Sequence, residues 1–150
     1  GERMGGDLIF FFKQKTAYEM TKNHYTGWMD AEQRIQLTDG VLVPELSRLF
    51  PGSRVMDGML YSGEGRALHT EGIRFDISFD SQDARLSDDP DAGLVQGRIV
   101  SIIYKGDHYS YTVRSRNDMD YYVNDEWLWN IGDYVSVIVP EEKIHYKRKG

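Results

Sequence analysis

The chain contains no cysteine among its 150 residues. A disulfide framework, a thiolate nucleophile and a cysteine-ligated metal are therefore excluded. This absence fits a cytoplasmic location, where disulfides are rare.

Long apolar runs and excess positive charge are also missing. The longest purely apolar run is Leu8 to Phe12, far short of the roughly 20 residues that span a bilayer as a helix. The formal net charge is -6, whereas a general nucleic-acid binder needs a basic face that displaces counterions from phosphates. We therefore expect no nucleic-acid partner.

The motifs that mark common enzymes are absent as well. No G-x-x-x-x-G-K-[ST] phosphate loop is present, and no serine stands in a G-x-S-x-G elbow. The four histidines, His24, His69, His108 and His145, lack the i, i+4 spacing of a helical zinc site. The sequence thus predicts no catalytic residue, no metal, no cofactor and no enzyme activity in this chain by itself.

What the sequence does contain is a series of short β patterns between residues 97 and 146. Ile99–Tyr104 is rich in β-branched residues, and Tyr109–Arg114 alternates apolar and polar side chains. A glycine turn at 105–107 separates these two strands, and Tyr121–Val123 is predicted to form a short third strand. After a second turn at 130–133 comes a further strand, Tyr134–Val139, which Pro140 ends. The pattern predicts an all-β fold, made of one or more small OB-like antiparallel barrels with short connecting loops.

Four motifs in this region occur in an order that is typical of one family. They are Gly97-x-Ile99-x-Ser101-Ile102, the turn from Tyr104 to Tyr109, Gly132-Asp133-x-Val135, and Pro140-Glu141-x-x-Ile144-His145. Together they resemble the C-terminal transport-associated OB (TOBE) domain of ABC importer ATP-binding subunits, most closely those of the spermidine/putrescine type.

The resemblance implies a regulatory and dimerisation domain that lacks the nucleotide site of its parent subunit. That subunit would hydrolyse ATP to import a polyamine or a similar solute. The implied partners are the ATPase domain of the parent subunit, a second copy of this domain and, indirectly, the membrane permease. The implied location is cytoplasmic, peripheral to the inner face of the cell membrane.

The chain also departs from the family pattern. Where the family carries an Arg-Pro-Glu-Asp motif, Asp80-Ser81-Gln82-Asp83 keeps only the last aspartate. Some related domains bind small oxyanions such as molybdate through a Ser-Ala-Arg-Asn stretch. Ser115-Arg116-Asn117 matches that stretch only in part, so this activity is not carried over.

Two sets of residues are candidates for contacts. Lys105, Asp107 and His108 lie on a predicted turn at the mouth of the barrel, where OB folds commonly bind. This contact loop could instead be a plain turn whose aspartate caps its own backbone.

The second set is the predicted dimer contact, made of Trp127, Leu128, Trp129 and Ile131. If this segment is a strand, both tryptophans point to the same face. They would then pack against a second copy or the core, or would stack a ligand.

Two other functions remain open from the residues alone. A stand-alone OB module could cradle a small ligand, such as a polyamine cation, between acidic and aromatic side chains. It could also stack single-stranded nucleic acid on its many aromatic rings, although the acidic charge opposes that function.

The chain divides into three predicted parts. Residues 1–20 are expected to be a non-native or disordered leader, because Phe10 to Met20 resembles the translated read-through of a sequencing adapter. Residues 21–92 form a β-rich N-terminal part, in which the Asp39-Gly40 pair predicts a hairpin. Residues 93–150 carry the OB-like strands. The acidic stretch 76–91, with six aspartates, is expected to be a solvated loop.

Overall fold

The structure, a computed structural model, describes residues 22–149, so the predicted leader at residues 1–20 lies outside the described residues. One short helix, α1 (Leu46–Leu49), accompanies the strands. The strands are β1 (Lys22–Met29), β2 (Ile35–Gln36), β3 (Val41–Leu42), β4 (Arg54–Met56), β5 (Met59–Tyr61), β6 (Arg74–Asp80), β7 (Arg85–Ser87), β8 (Val95–Tyr104), β9 (Tyr109–Arg114), β10 (Asp120–Asp125), β11 (Tyr134–Ile138) and β12 (His145–Arg148).

The first sheet is an antiparallel array in the order β12-β6-β1-β2-β3. Its centre is the long pairing of β1 with β6, which runs from Lys22 opposite Asp80 to Trp28 opposite Arg74. Strands β2 and β3 form the hairpin that the Asp39-Gly40 pair predicts. Along β6, Phe75, Ile77 and Phe79 point into the core, while the alternate residues face outward.

The second sheet is a small barrel of antiparallel strands in the order β10-β9-β8-β11-β7. Strand β8 is its longest element and carries a β-bulge between Ile99 and Ser101, which bends the strand as barrel closure requires. At Gly97 a Cβ atom would lie 2.4 Å from the carbonyl oxygen of Arg114. Only glycine therefore allows β8 and β9 to approach so closely.

The barrel closes through side chains rather than through a ladder between its edge strands. The carboxylate of Asp125 on β10 accepts a hydrogen bond of 3.0 Å from the backbone N–H of Leu86 on β7. Beside it, Nη1 of Arg85 donates to the carbonyl oxygen of Asn124 at 3.1 Å. Asp125 is 3% exposed, so the closing bond is shielded from water.

Two hydrophobic cores lie next to each other. The larger fills the barrel and is built from aromatic and β-branched side chains: Phe79, Ala84, Leu86, Val95, Ile99, Tyr111, Val113, Tyr121, Val123, Val135 and Val137. The smaller lies against the first sheet and consists of Met29, Ile35, Leu42, Phe75, Ile77 and Ile144. Leu94 and Val139 pack against both cores, which joins the two layers.

Polar bonds also join the first sheet to the edge of the barrel. The amide of Asn23 on β1 donates to the carbonyl oxygen of Tyr122 at 2.9 Å and accepts from its N–H at 2.8 Å. The hydroxyl of Tyr25 lies 2.7 Å from the carbonyl oxygen of Asp120, and its ring stacks on Tyr121 at 4.7 Å. Burial, the largest cause, raises the pKa of Tyr25, so this hydroxyl remains a donor at physiological pH.

The acidic stretch 76–91 is not the solvated loop that its composition suggested. Asp76 and Asp80 belong to β6, a 3-10 turn follows at Ser81–Asp83, and β7 comes next. The composition predicted a loop wrongly, because it counts the aspartates, which face outward, and ignores the alternating apolar residues of this stretch, which are buried. Within this stretch, residues 81–84 and 88–91 lie outside the strands.

Both sheets contain strands from each side of residue 92. Strand β7 joins the barrel by pairing with β11, and β12 joins the first sheet by pairing with β6. The division into parts at 21–92 and 93–150 stays a prediction about domains. Within residues 22–149, no helix has the length and apolar character needed to cross a bilayer.

Replacing Asp125 by alanine tests the closure of the barrel. We expect Asp125→Ala to lower the free energy of unfolding by about 2 kcal/mol, because it leaves a buried backbone N–H without an acceptor. The exposed Glu71 provides the control, and Glu71→Ala should stay within about 0.5 kcal/mol of the unsubstituted chain. Urea unfolding followed by circular dichroism measures both, and equal stabilities of the two variants would contradict this mode of closure.

Candidate functional site at one end of the barrel

The predicted contact loop forms the hairpin between β8 and β9. The backbone N–H of Lys105 donates to the carbonyl oxygen of His108 at 2.8 Å, and Gly106 has a φ of 101° that favours glycine. Nδ1 of His108 lies 2.6 Å from the carboxylate of Asp107. That hydrogen bond is the main cause that lowers the pKa of Asp107, and the aspartate side chain is otherwise open to solvent.

A shallow cavity of about 240 Å³ lies beside this loop. Its lining brings the contact loop together with the closing strands of the barrel, and consists of Gln82, Arg85, Asp107, His108, Asn124, Asp125 and Glu126. Lys105 is exposed and is not part of the lining. In residues 22–149 no group of three or more His, Asp or Glu side chains is arranged to hold a metal ion.

The segment that holds the predicted dimer contact is a loop, since β10 ends at Asp125 and β11 begins at Tyr134. The strand geometry that would place both tryptophans on one face is therefore wrong. The hydroxyl of Tyr111 donates to the carbonyl oxygen of Trp127 at 2.6 Å and accepts from the N–H of Trp129 at 2.9 Å. One buried hydroxyl thus fixes the middle of the loop to the barrel.

The four residues of the predicted contact separate into two groups. Trp129 packs against the barrel core, and its indole N–H is buried with no acceptor among the described residues. Trp127, Leu128 and Ile131 are 77%, 65% and 62% exposed. We call these three residues the apolar patch. A contact with another protein surface is thus open to the apolar patch but not to Trp129, which belongs to the core.

The barrel-end loops are anchored in a way that the sequence did not reveal. The carboxylate of Asp125 accepts the N–H of Trp127 at 3.0 Å as well as that of Leu86. The carboxylate of Asp133 accepts the N–H of Asn130 at 2.8 Å. Aspartates near turns are a recognised signal of such bonds, but the Asp125 bond to Leu86 crosses 39 positions and leaves no local pattern.

Two known proteins are similar to part of this chain in sequence. Over 72 residues, 48% of the chain, the sequence is 33% identical to the spermidine/putrescine import ATP-binding protein PotA of Bacteroides fragilis. PotA of Bacteroides thetaiotaomicron matches to the same extent. In both cases the match covers 15% of the relative's length. No family model matches the chain.

Among solved structures, the chain is similar to the cytoplasmic molybdate-binding protein ModG in a molybdate-bound crystal form. The TM-score is 0.57 at 11% sequence identity, over 83% of this chain and 94% of that chain. The fold of this chain is thus of the OB type. The all-β, OB-like fold and the family resemblance that the sequence motifs predict are thereby confirmed.

The two tryptophans of the loop between β10 and β11 should differ sharply in their effect on stability. We expect Trp129→Ala to cost about 2 kcal/mol of unfolding free energy, because it removes a large ring that packs on the core. Trp127→Ala should cost less than about 0.5 kcal/mol, since its side chain faces solvent. Urea titration followed by circular dichroism compares the two variants. A larger loss of unfolding free energy for Trp127→Ala than for Trp129→Ala would contradict the packing of Trp129 on the core.

Proposed function

We propose that this TOBE domain is the regulatory and dimerisation domain of an ABC importer ATP-binding subunit that serves polyamine uptake. The observation that carries the proposal is the 33% identity to PotA over 72 residues. The parent subunit would supply the nucleotide site, because this sequence contains no phosphate loop. On this proposal the domain is not an enzyme by itself and acts at the cytoplasmic face of the membrane.

The apolar patch supports a role in assembly. Trp127 and Leu128 expose most of their side chains, although the loop that carries them is held at both ends by hydrogen bonds. A fixed loop pays little entropy when it docks, and tryptophan is the residue type most often found at the energetic centre of an interface. The dimer contact at Trp127, Leu128 and Ile131 remains part of this proposal.

The contact loop supports a signalling role at the same end of the barrel. Asp107 and His108 line the cavity together with Asp125 and Glu126, so a partner that reaches the cavity also touches the strands that close the barrel. Lys105, Asp107 and His108 are therefore proposed as the loop through which the ATPase domain senses this domain.

The proposal is tested in the full ATP-binding subunit that contains this domain. We expect Trp127→Ser combined with Leu128→Ser to lower spermidine uptake about tenfold, the effect of losing about 1.4 kcal/mol of docking free energy. Val43 is 74% exposed on the other sheet, so Val43→Ser serves as the control and should leave uptake unchanged. Competition by putrescine, but not by unrelated solutes, is expected in the same assay.

Two results would contradict the proposal. The first is uptake that stays the same in the Trp127→Ser, Leu128→Ser subunit, which would remove the role of the domain in assembly. The second is a subunit that transports an unrelated solute and ignores spermidine and putrescine, which would remove the assignment to polyamines.

A further inference from the structure

The outer face of the barrel carries two patches of opposite charge next to each other. In the pairing of β11 with β8, Tyr134 lies opposite Arg98, and Ser136 lies opposite Gln96. The two pairs, which we call rows, lie two residues apart along each strand. Their side chains therefore share one face of the sheet, and the rows are about 7 Å from each other. One row borders a basic groove and the other is covered by an acidic loop.

The basic groove, which we call the arginine groove, has a volume of about 330 Å³ and is lined by Arg98, Val100, Arg114, Arg116 and Tyr134, among others. The guanidinium of Arg98 lies over the ring of Tyr134 at 5.4 Å and donates to the carbonyl oxygen of Gly132 at 3.0 Å. The β-bulge of β8 exposes Val100 on the same side. The groove is therefore a fixed surface rather than a set of free side chains.

Two of the three arginines have no carboxylate partner within 4 Å among residues 22–149. Arg114 forms a bidentate ion pair with Asp120 at 2.8 and 3.1 Å, and this ion pair raises the pKa of Arg114. Arg98 and Arg116 form no such ion pair in that part of the chain. Asp118 also lines the groove, so the groove carries an excess of one positive charge.

The acidic loop consists of Asp88, Asp89, Pro90 and Asp91. The loop covers the row of Ser136 and Gln96. The hydroxyl of Ser136 donates to the carbonyl oxygen of Asp89 at 2.7 Å, and the side-chain amide of Gln96 donates to the carbonyl oxygen of Pro90. The side chain of Asp89 accepts the N–H of Asp91 at 3.0 Å. The residues of the loop are exposed. None of their carboxylates is in an ion pair within the described range.

A fixed acidic patch beside a fixed basic patch is self-complementary under a two-fold axis, because rotation places each patch against its opposite. We propose that two copies of this chain pair through the outer face of the barrel, with the acidic loop of each seated on the arginine groove of the other. Arg98 and Arg116 would then gain the carboxylate partners that they lack within one chain. Charge pairs of this kind fix register and speed association.

The apolar patch adjoins the arginine groove, because Ile131 precedes Gly132, whose carbonyl oxygen accepts the hydrogen bond from Arg98. The charged pairing is therefore a contact additional to the one proposed for the apolar patch. This inference rests on one part of the proposed function, namely that two copies of the domain form a dimer.

Charge reversal in the full chain tests the pairing. The groove variant carries Arg98→Glu and Arg116→Glu, and the loop variant carries Asp88→Arg and Asp91→Arg. We expect sedimentation equilibrium to show that each variant alone self-associates at least about tenfold more weakly than the parent chain. An equimolar mixture of the two variants should recover the dimer, and salt should weaken the parent dimer.

The matched control is Arg54→Glu with Arg66→Glu, since both side chains are exposed and lie far from the groove along the chain. It should associate as the parent chain does. Circular dichroism of each variant checks the fold, and recovery in the mixture also excludes misfolding as the cause of a loss.

Three results would overturn the inference: a parent chain that stays monomeric at all concentrations, reversals that leave association unchanged, or a mixture that does not recover the dimer. If Trp127→Ser with Leu128→Ser abolishes association while the reversals do not, the apolar patch is the pairing face. That outcome overturns this inference and leaves the proposed function intact. If Trp127→Ser with Leu128→Ser leaves spermidine uptake unchanged, the proposed function is contradicted, while the sedimentation result for the charge reversals still decides this inference.

Discussion

The bond between Asn23 and Tyr122 is the contact on which the rest of the molecule depends. The barrel has an edge at β10, and an unpaired edge strand exposes backbone donors and acceptors that must find partners. The side-chain amide of Asn23 supplies one donor and one acceptor to the backbone of Tyr122, as a neighbouring strand would. Because Asn23 is 1% exposed, these bonds form away from water, where leaving either group unpaired costs most.

The barrel surfaces follow from this fixed frame. Its end carries the contact loop and the apolar patch, and its outer face carries the arginine groove and the acidic loop. The apolar patch, the arginine groove and the acidic loop are each held by hydrogen bonds to the barrel, so each presents a constant shape to a partner. A domain that binds through preformed surfaces loses little entropy on association. This property suits the role in assembly that we propose for the domain.

Local patterns predicted the local parts of the fold. The Asp39-Gly40 pair marked a hairpin, alternation marked β9, and Gly106 marked the turn of the contact loop, because each of these depends on neighbours in sequence. The contacts that close and join the sheets were not predictable in this way. Asn23 and Tyr122 are 99 positions apart, and an asparagine that bonds a distant backbone looks in sequence like any polar residue.

The candidate site shows the same division. The sequence located the contact loop and the aromatic segment, yet it could not tell that Trp129 packs partly buried against the core while Trp127 is exposed. Their separation depends on the hydroxyl of Tyr111, which binds the backbone of both. The opposed charges of the outer face were also not predictable, because the arginine groove and the acidic loop become neighbours only through the pairing of β8 with β11 and β9.

Residues 22–149 thus form one structural unit, in which each five-stranded sheet takes strands from both sides of residue 92 and polar bonds join the two sheets. Differential scanning calorimetry of the full chain tests this most directly. The account predicts a single transition whose calorimetric enthalpy equals its van't Hoff enthalpy, as expected of one cooperative unit. Two separate transitions, one for each sheet, would contradict it.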